Sequence, residues 1–96
     1  MIKATYPIID SKEKLIVVIE APESDPESKY SDFRCKGQIE CGEYKREFYA
    51  YGIDELQCVW VGLKKLKEEI ETFEETTNQT CEYTYFEEER FLAQLK

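Results

Sequence analysis

Residues 33–41 constrain the fold more than any other stretch of the chain. Phe33, Cys35, Gly37, Ile39 and Cys41 alternate with Arg34, Lys36, Gln38 and Glu40. Successive strand side chains point to opposite faces, so this alternation demands a half-buried strand with one solvated face. A helix would scatter the same apolar residues around its axis. Gly42-Glu43 then fits a two-residue hairpin turn with glycine first, and residues 44–51 form the returning strand.

Two more strands precede this hairpin. Residues 2–9 are β-branched and aromatic, with Pro7 among them. Proline lacks an amide donor, which predicts an edge strand. Residues 10–13 read as a polar turn, and residues 14–21 as a second strand pairing with the first. Its centre, Leu15 to Ile19, is apolar at both parities, which implies cover on both faces. The prolines, serines and acids of residues 22–29 read as a loop. Four strands thus precede any helix.

Gly52 ends the strand pattern. Asp54 is placed to cap a helix, with Gln57 three residues on as in a capping box. Ile53 and Cys58 occupy the positions of a hydrophobic staple. Leu56, Val59, Leu63, Leu66, Ile70 and Phe73 then recur at steps of three and four, and Trp60 widens the stripe. The pattern predicts a helix over 54–77 that ends at Asn78, a residue that tolerates a left-handed C-cap. Its seam should pack across the sheet, with a coiled-coil dimer seam as the competing reading. Lys67 and Glu74 fall inside the apolar arc, so the last turns are expected to overhang the sheet and reach water. Cys58 and Val61 fall on the other side, exposed unless the tail or a second copy covers them. The tail, 81–96, is acidic and aromatic. It reads as a fifth strand over 81–86 and a short helix over 87–95, with Phe91, Leu92 and Leu95 on one side.

The expected architecture is one α+β domain over 1–96. A strand meander over 1–51 forms an antiparallel sheet of four to five strands. One long amphipathic helix lies across one face, and a short C-terminal helix is possible.

Charge narrows the function. The 21 acids, 13 bases and no histidine give a net charge of −8. Residues 1–51 hold eight bases and ten acids, whereas residues 52–96 hold five bases and eleven acids. Such a half repels phosphates and attracts basic partners. Without histidine, the commonest general base and metal ligand is missing. Nucleophile elbow, P-loop, G-x-G-x-x-G, CxxC and EF-hand spacings are all lacking. No cofactor, metal or enzymatic activity is therefore expected. Arg34, Lys36, Lys45 and Arg46 make a small basic patch and should pair with Glu40, Glu43 and Glu47, so nucleic acid is not the expected partner. The longest apolar run has five residues, too few to span a bilayer, and no export signal is visible, so the cytoplasm is expected. Cys35 and Cys41 lie about 20 Å apart if they share one strand, too far for a disulfide. All four cysteines are expected as reduced, mostly buried thiols.

The acids of the long helix stand out. Glu68, Glu71 and Glu75 share one side, in the half where the helix dipole is already negative. The i,i+4 pairs Lys64–Glu68, Lys65–Glu69 and Lys67–Glu71 run in the weaker order, lysine first. A local rule broken without visible gain points toward function. The expected partner-binding residues are Glu68, Glu71, Glu75, Glu82, Tyr83, Tyr85, Glu87 and Glu88. The partner is expected to be a basic protein, bound by a monomer or homodimer. The competing reading makes the acids a solubilising surface on a housekeeping or scaffold subunit.

The order of motifs adds a resemblance. Leu15 to Glu20 lead into Ala21-Pro22, Asp25-Pro26, Asp32-Phe33-Arg34-Cys35, Ile39-Glu40 and Gly42. Gly52-Ile53-Asp54-Glu55-Leu56-Gln57 follow. This resembles a family of short bacterial proteins with a domain of unknown function, in which a G-x-D-x-x-Q-A element opens a long helix after a strand meander. Cys58 stands where that element usually has alanine. The resemblance covers about residues 14–75 and implies the fold without an activity. By size and charge alone the chain is also similar to immunity proteins that neutralise bacterial toxins, an analogy that implies an inhibitory role.

Overall fold

The computed structural model describes residues 1–30 and 32–82. It is an α+β fold: a five-stranded antiparallel sheet with one long helix packed against it. The strands are β1 (Ile2–Pro7), β2 (Lys14–Ile19), β3 (Glu23–Ser24), β4 (Phe33–Cys41) and β5 (Tyr44–Gly52), and the helix is α1 (Glu55–Thr77).

β4 is the central strand. β2 pairs along one side of it, with Val17 opposite Ile39, and β5 along the other, with Cys41 opposite Tyr44. Gly42 opens the hairpin turn at φ 58°, a conformation glycine adopts without a Cβ penalty. Among the named strands β1 pairs with β2 alone and ends at Pro7, beyond which residues 80–82 run alongside: Glu82 N–H donates to Pro7 O at 2.9 Å and Ile9 N–H to Thr80 O at 2.8 Å. The stretch expected to be a loop contains β3, which is a correction. The ladder continues past β2 through Glu20 N–H donating to Lys36 O at 2.8 Å. Pro22, with no donor, interrupts it, and β3 resumes it with Glu23 opposite Arg34. β3 is thus the far end of β2's pairing line.

The alternation in β4 works as read. Cys35, Ile39 and Cys41 are buried beneath the helix with Leu15, Val17, Ile19 and Ala50. Gly37 also faces inward, where the Phe48 ring occupies the space a side chain would need.

Asp54 caps α1, its carboxylate accepting from Gln57 N–H at 2.7 Å. The Gln57 side chain does not return to the cap amide. It accepts from Ile53 N–H at 2.7 Å, one residue earlier. Asn78 ends the helix in the left-handed conformation, φ 54°.

The seam of α1 is displaced from the one read in the sequence. Leu63, Leu66, Ile70 and Phe73 are buried as expected, but Leu56 is 77% exposed and Cys58 is fully buried. Val61 is half-buried against the core. The staple does not form either, since Ile53 is 71% exposed. The cause is close packing at the helix start. A Cβ on Gly52 would lie 2.5 Å from Cys58 N, and one on Gly62 3.2 Å from Cys35 Sγ. Small residues let the helix settle onto the sheet along Cys58 and Gly62, which rolls Leu56 outward. The last turns do not overhang: Ile70 and Phe73 are fully buried, and Tyr44 meets Phe73 edge-to-face at 4.9 Å. Lys67 is half-buried, and Glu74, also in the supposed overhang, accepts from Cys81 N–H at 2.9 Å. Of the expected fifth strand, Cys81 forms an antiparallel bridge with Ile8, and residues 83–86 lie outside the described residues, as does the expected helix over 87–95.

Candidate interaction face

Charge is sorted between the two layers. On the sheet, bases meet acids: Arg34 Nε to Glu23 Oε1 at 2.8 Å, and Glu47 with both Lys36 (3.4 Å) and Lys45 (3.9 Å). Arg46 instead crosses to Glu69 on α1 at 3.8 Å. The expected pairing across the hairpin therefore uses Glu47 alone. Glu23 and Glu69 take the places expected for Glu40 and Glu43.

On the helix, Lys65 and Lys64 each have a contact other than an acid four residues on. Lys65 Nζ donates to Tyr49 O at 2.8 Å, and Lys64 Nζ lies 5.1 Å from the centroid of the Trp60 ring. Among the described residues no ion pair reaches Glu68, Glu71 or Glu75. All three side chains are exposed, on the side of α1 away from the sheet. The last turn carries no base, so these carboxylates and the negative end of the dipole act in the same direction. Glu82 is exposed as well, and its amide donates to Pro7 O at 2.9 Å. The Glu74–Cys81 bond holds this segment beside the C-terminal half of α1. Tyr83, Tyr85, Glu87 and Glu88 lie outside the described residues.

The N-terminal end of the same helix is apolar and open. Ile53 and Leu56 are the most exposed apolar side chains there, and Tyr51, just before them, is 51% exposed. The sequence assigns Ile53 to a staple and Leu56 to the buried seam, and neither side chain is buried there. One signal could have found them. Leu56 and Glu74 are 18 residues apart, five full turns at about 100° per residue, so they share one line on the helix. A line that holds Glu74 lies at the margin of the buried arc.

The thiols offer little reactivity. All four are free and buried. Burial pushes Cys58 up to about 12, helped by the neighbouring Cys35. Cys41 rises to about 11 through burial and its hydrogen bond to Glu13, and Cys81 to about 11 through burial and Glu74. Such thiols stay protonated at neutral pH and are poor nucleophiles. Among the described residues no group of three or more acids and cysteines is placed to hold a metal ion. No described helix is long and apolar enough to cross a membrane.

The model of a family described as a domain of unknown function (DUF6968) matches residues 5–91. No curated protein and no solved structure matches. The likeness to toxin-immunity proteins finds no support in these comparisons.

Proposed function

The chain belongs to this family, a domain of unknown function, and on that premise we propose that it is a non-enzymatic binding protein with a basic protein partner. One observation carries the reading. Glu68, Glu71 and Glu75 on the outer face of α1 are exposed with no ion pair among the described residues, while Arg34, Lys36 and Lys45 of the sheet pair with acids of the sheet. Like charges gathered at the negative end of a helix cost a few tenths of a kcal/mol each and return nothing to the fold. Their benefit is therefore external, in attracting and orienting a cationic surface. Inhibition of a basic enzyme or toxin is the narrower form of this reading. The rival, a subunit whose acids serve only solubility, needs charge anywhere on the surface and gives no reason for one unpaired helix stripe.

Capture tests the proposal. Tagged protein and a triple variant, Glu68→Lys, Glu71→Lys and Glu75→Lys, are used as bait in extract of the native cell. The expected result is a basic protein retained by the wild type and lost with the variant. Equal retention of every bound protein by both baits would leave the solubility reading.

A further inference from the structure

The two edges of the sheet are finished differently. At the β1 edge, Pro7 has no amide to offer and residues 80–82 run alongside, with Ile9 N–H donating to Thr80 O. At the other edge lies β5, nine residues without a proline, which among the described strands pairs with β4 alone. Glu20 N–H donates to Lys36 O, so the even-numbered residues of β4 turn their main-chain groups to β2 and the odd-numbered ones to β5. Cys35 meets Ala50, and Gly37 meets Phe48. The main-chain groups of Lys45, Glu47, Tyr49 and Tyr51 therefore point out of the open edge. Its two halves are unlike. Lys45, Arg46 and Glu47 put charge on the first, whereas residues 48–52, Phe-Tyr-Ala-Tyr-Gly, carry none. An uncharged open edge is a template for another strand. On this half α1 reaches over: the half-buried Lys65 donates from Nζ to Tyr49 O at 2.8 Å.

We infer that Lys65 guards this edge: its ammonium occupies a main-chain carbonyl that β5 needs in order to pair, antiparallel, with β5 of a second copy of the chain. The second copy is the partner that the edge fits by its own pattern. About a two-fold axis at Tyr49, Tyr49 meets Tyr49 of the copy, Phe48 meets Ala50, and Glu47 meets Tyr51, so outward donors and acceptors match on both chains. In that register the copy's Tyr49 amide needs the carbonyl that Lys65 holds. The two ammoniums would also face each other across the axis, as like charges at a strand contact. Both must withdraw before the strands join. The charged half of β5 carries its own protection, and the helix supplies it where the strand has none.

Sedimentation equilibrium of the full chain tests the guard, at physiological salt so that repulsion between acidic copies is screened beyond about 8 Å. Lys65→Met keeps a long side chain and a good helix former while removing the ammonium. It is expected to self-associate at least about tenfold more tightly than the wild type, and Lys65→Arg, which keeps a charged donor, to behave as the wild type. A second substitution identifies the contact. Tyr49→Pro added to Lys65→Met removes the outward amide without costing a bond to β4, and should restore the wild-type behaviour. Tyr49→Ala added instead keeps that amide and should leave the association in place. Thermal melts accompany each variant. Lys65→Met no more associated than the wild type overturns the inference. So does association that Tyr49→Pro leaves intact, that Tyr49→Ala abolishes equally, or that appears only where the variant has begun to melt.

Discussion

Gly52 and Cys58 show how single residues set the geometry. Their backbones approach so closely that Gly52→Ala would place a methyl 2.5 Å from the Cys58 amide nitrogen. Backbone cannot swing aside as a side-chain tip can, so the helix start must shift. A loss of about 1–3 kcal/mol is expected, read as a lower midpoint in denaturant titration. An unchanged midpoint would mean that the helix start is not seated as described. The thiols make a second prediction. Cys41, Cys58 and Cys81 ionise near 9 in the unfolded chain and near 11, 12 and 11 when folded. Raised folded values mean that their contribution to stability is complete below pH 9 and disappears as the pH climbs through 11 to 12. Each thiol ionised only in the unfolded chain should remove about 1.4 kcal/mol per pH unit in that window. Thermal melts at stepped pH should steepen above 9, and Cys58→Ala should flatten the slope. A thiol reagent at pH 8 should find four groups in the denatured chain and react slowly with the native one.

At the scale of elements, legibility followed how unambiguous each period was. The alternation of 33–41 has no helical reading, and β4 formed as expected. The helix bounds were legible from Asp54 and Asn78, because capping is local chemistry. The start of the seam was not legible. A hydrophobic stripe weights large side chains and so selects Leu56, whereas close approach of helix and sheet selects small ones, here Cys58 and Gly62. β3 was invisible because two residues carry no period. The surface of α1 divides the same way. Its acids follow from composition and helical spacing. Its apolar end follows from where the helix axis rests, which only the packing of Gly52 and Gly62 decides. A paired substitution tests this arrangement. Leu63→Asp puts a charge into a site only 8% exposed, and should cost more than about 4 kcal/mol, enough to unfold a small domain. Leu56→Asp, two turns earlier on a 77% exposed site, should stay within about 0.5 kcal/mol of the wild type. Similar losses for both would place Leu56 in the core.

For the whole molecule, the decisive property is an exposed acidic face on α1, Glu68, Glu71 and Glu75, opposite a sheet that pairs Arg34, Lys36 and Lys45 with its own acids, within a chain of net charge −8. The fold does not need that face, and the account holds that the partner does. Exposed charges act over about 8–10 Å before salt screens them, so the face should govern the rate of encounter more than the lifetime of the complex. The most direct measurement is the association rate constant with the captured basic partner, for the wild type and for Glu68→Lys, Glu71→Lys and Glu75→Lys combined, at low and at physiological salt. The account predicts a wild-type rate that falls about tenfold or more as salt rises, and a triple variant that is already slow and nearly indifferent to salt, with both proteins melting alike. Equal rates for the two proteins at low salt would contradict it.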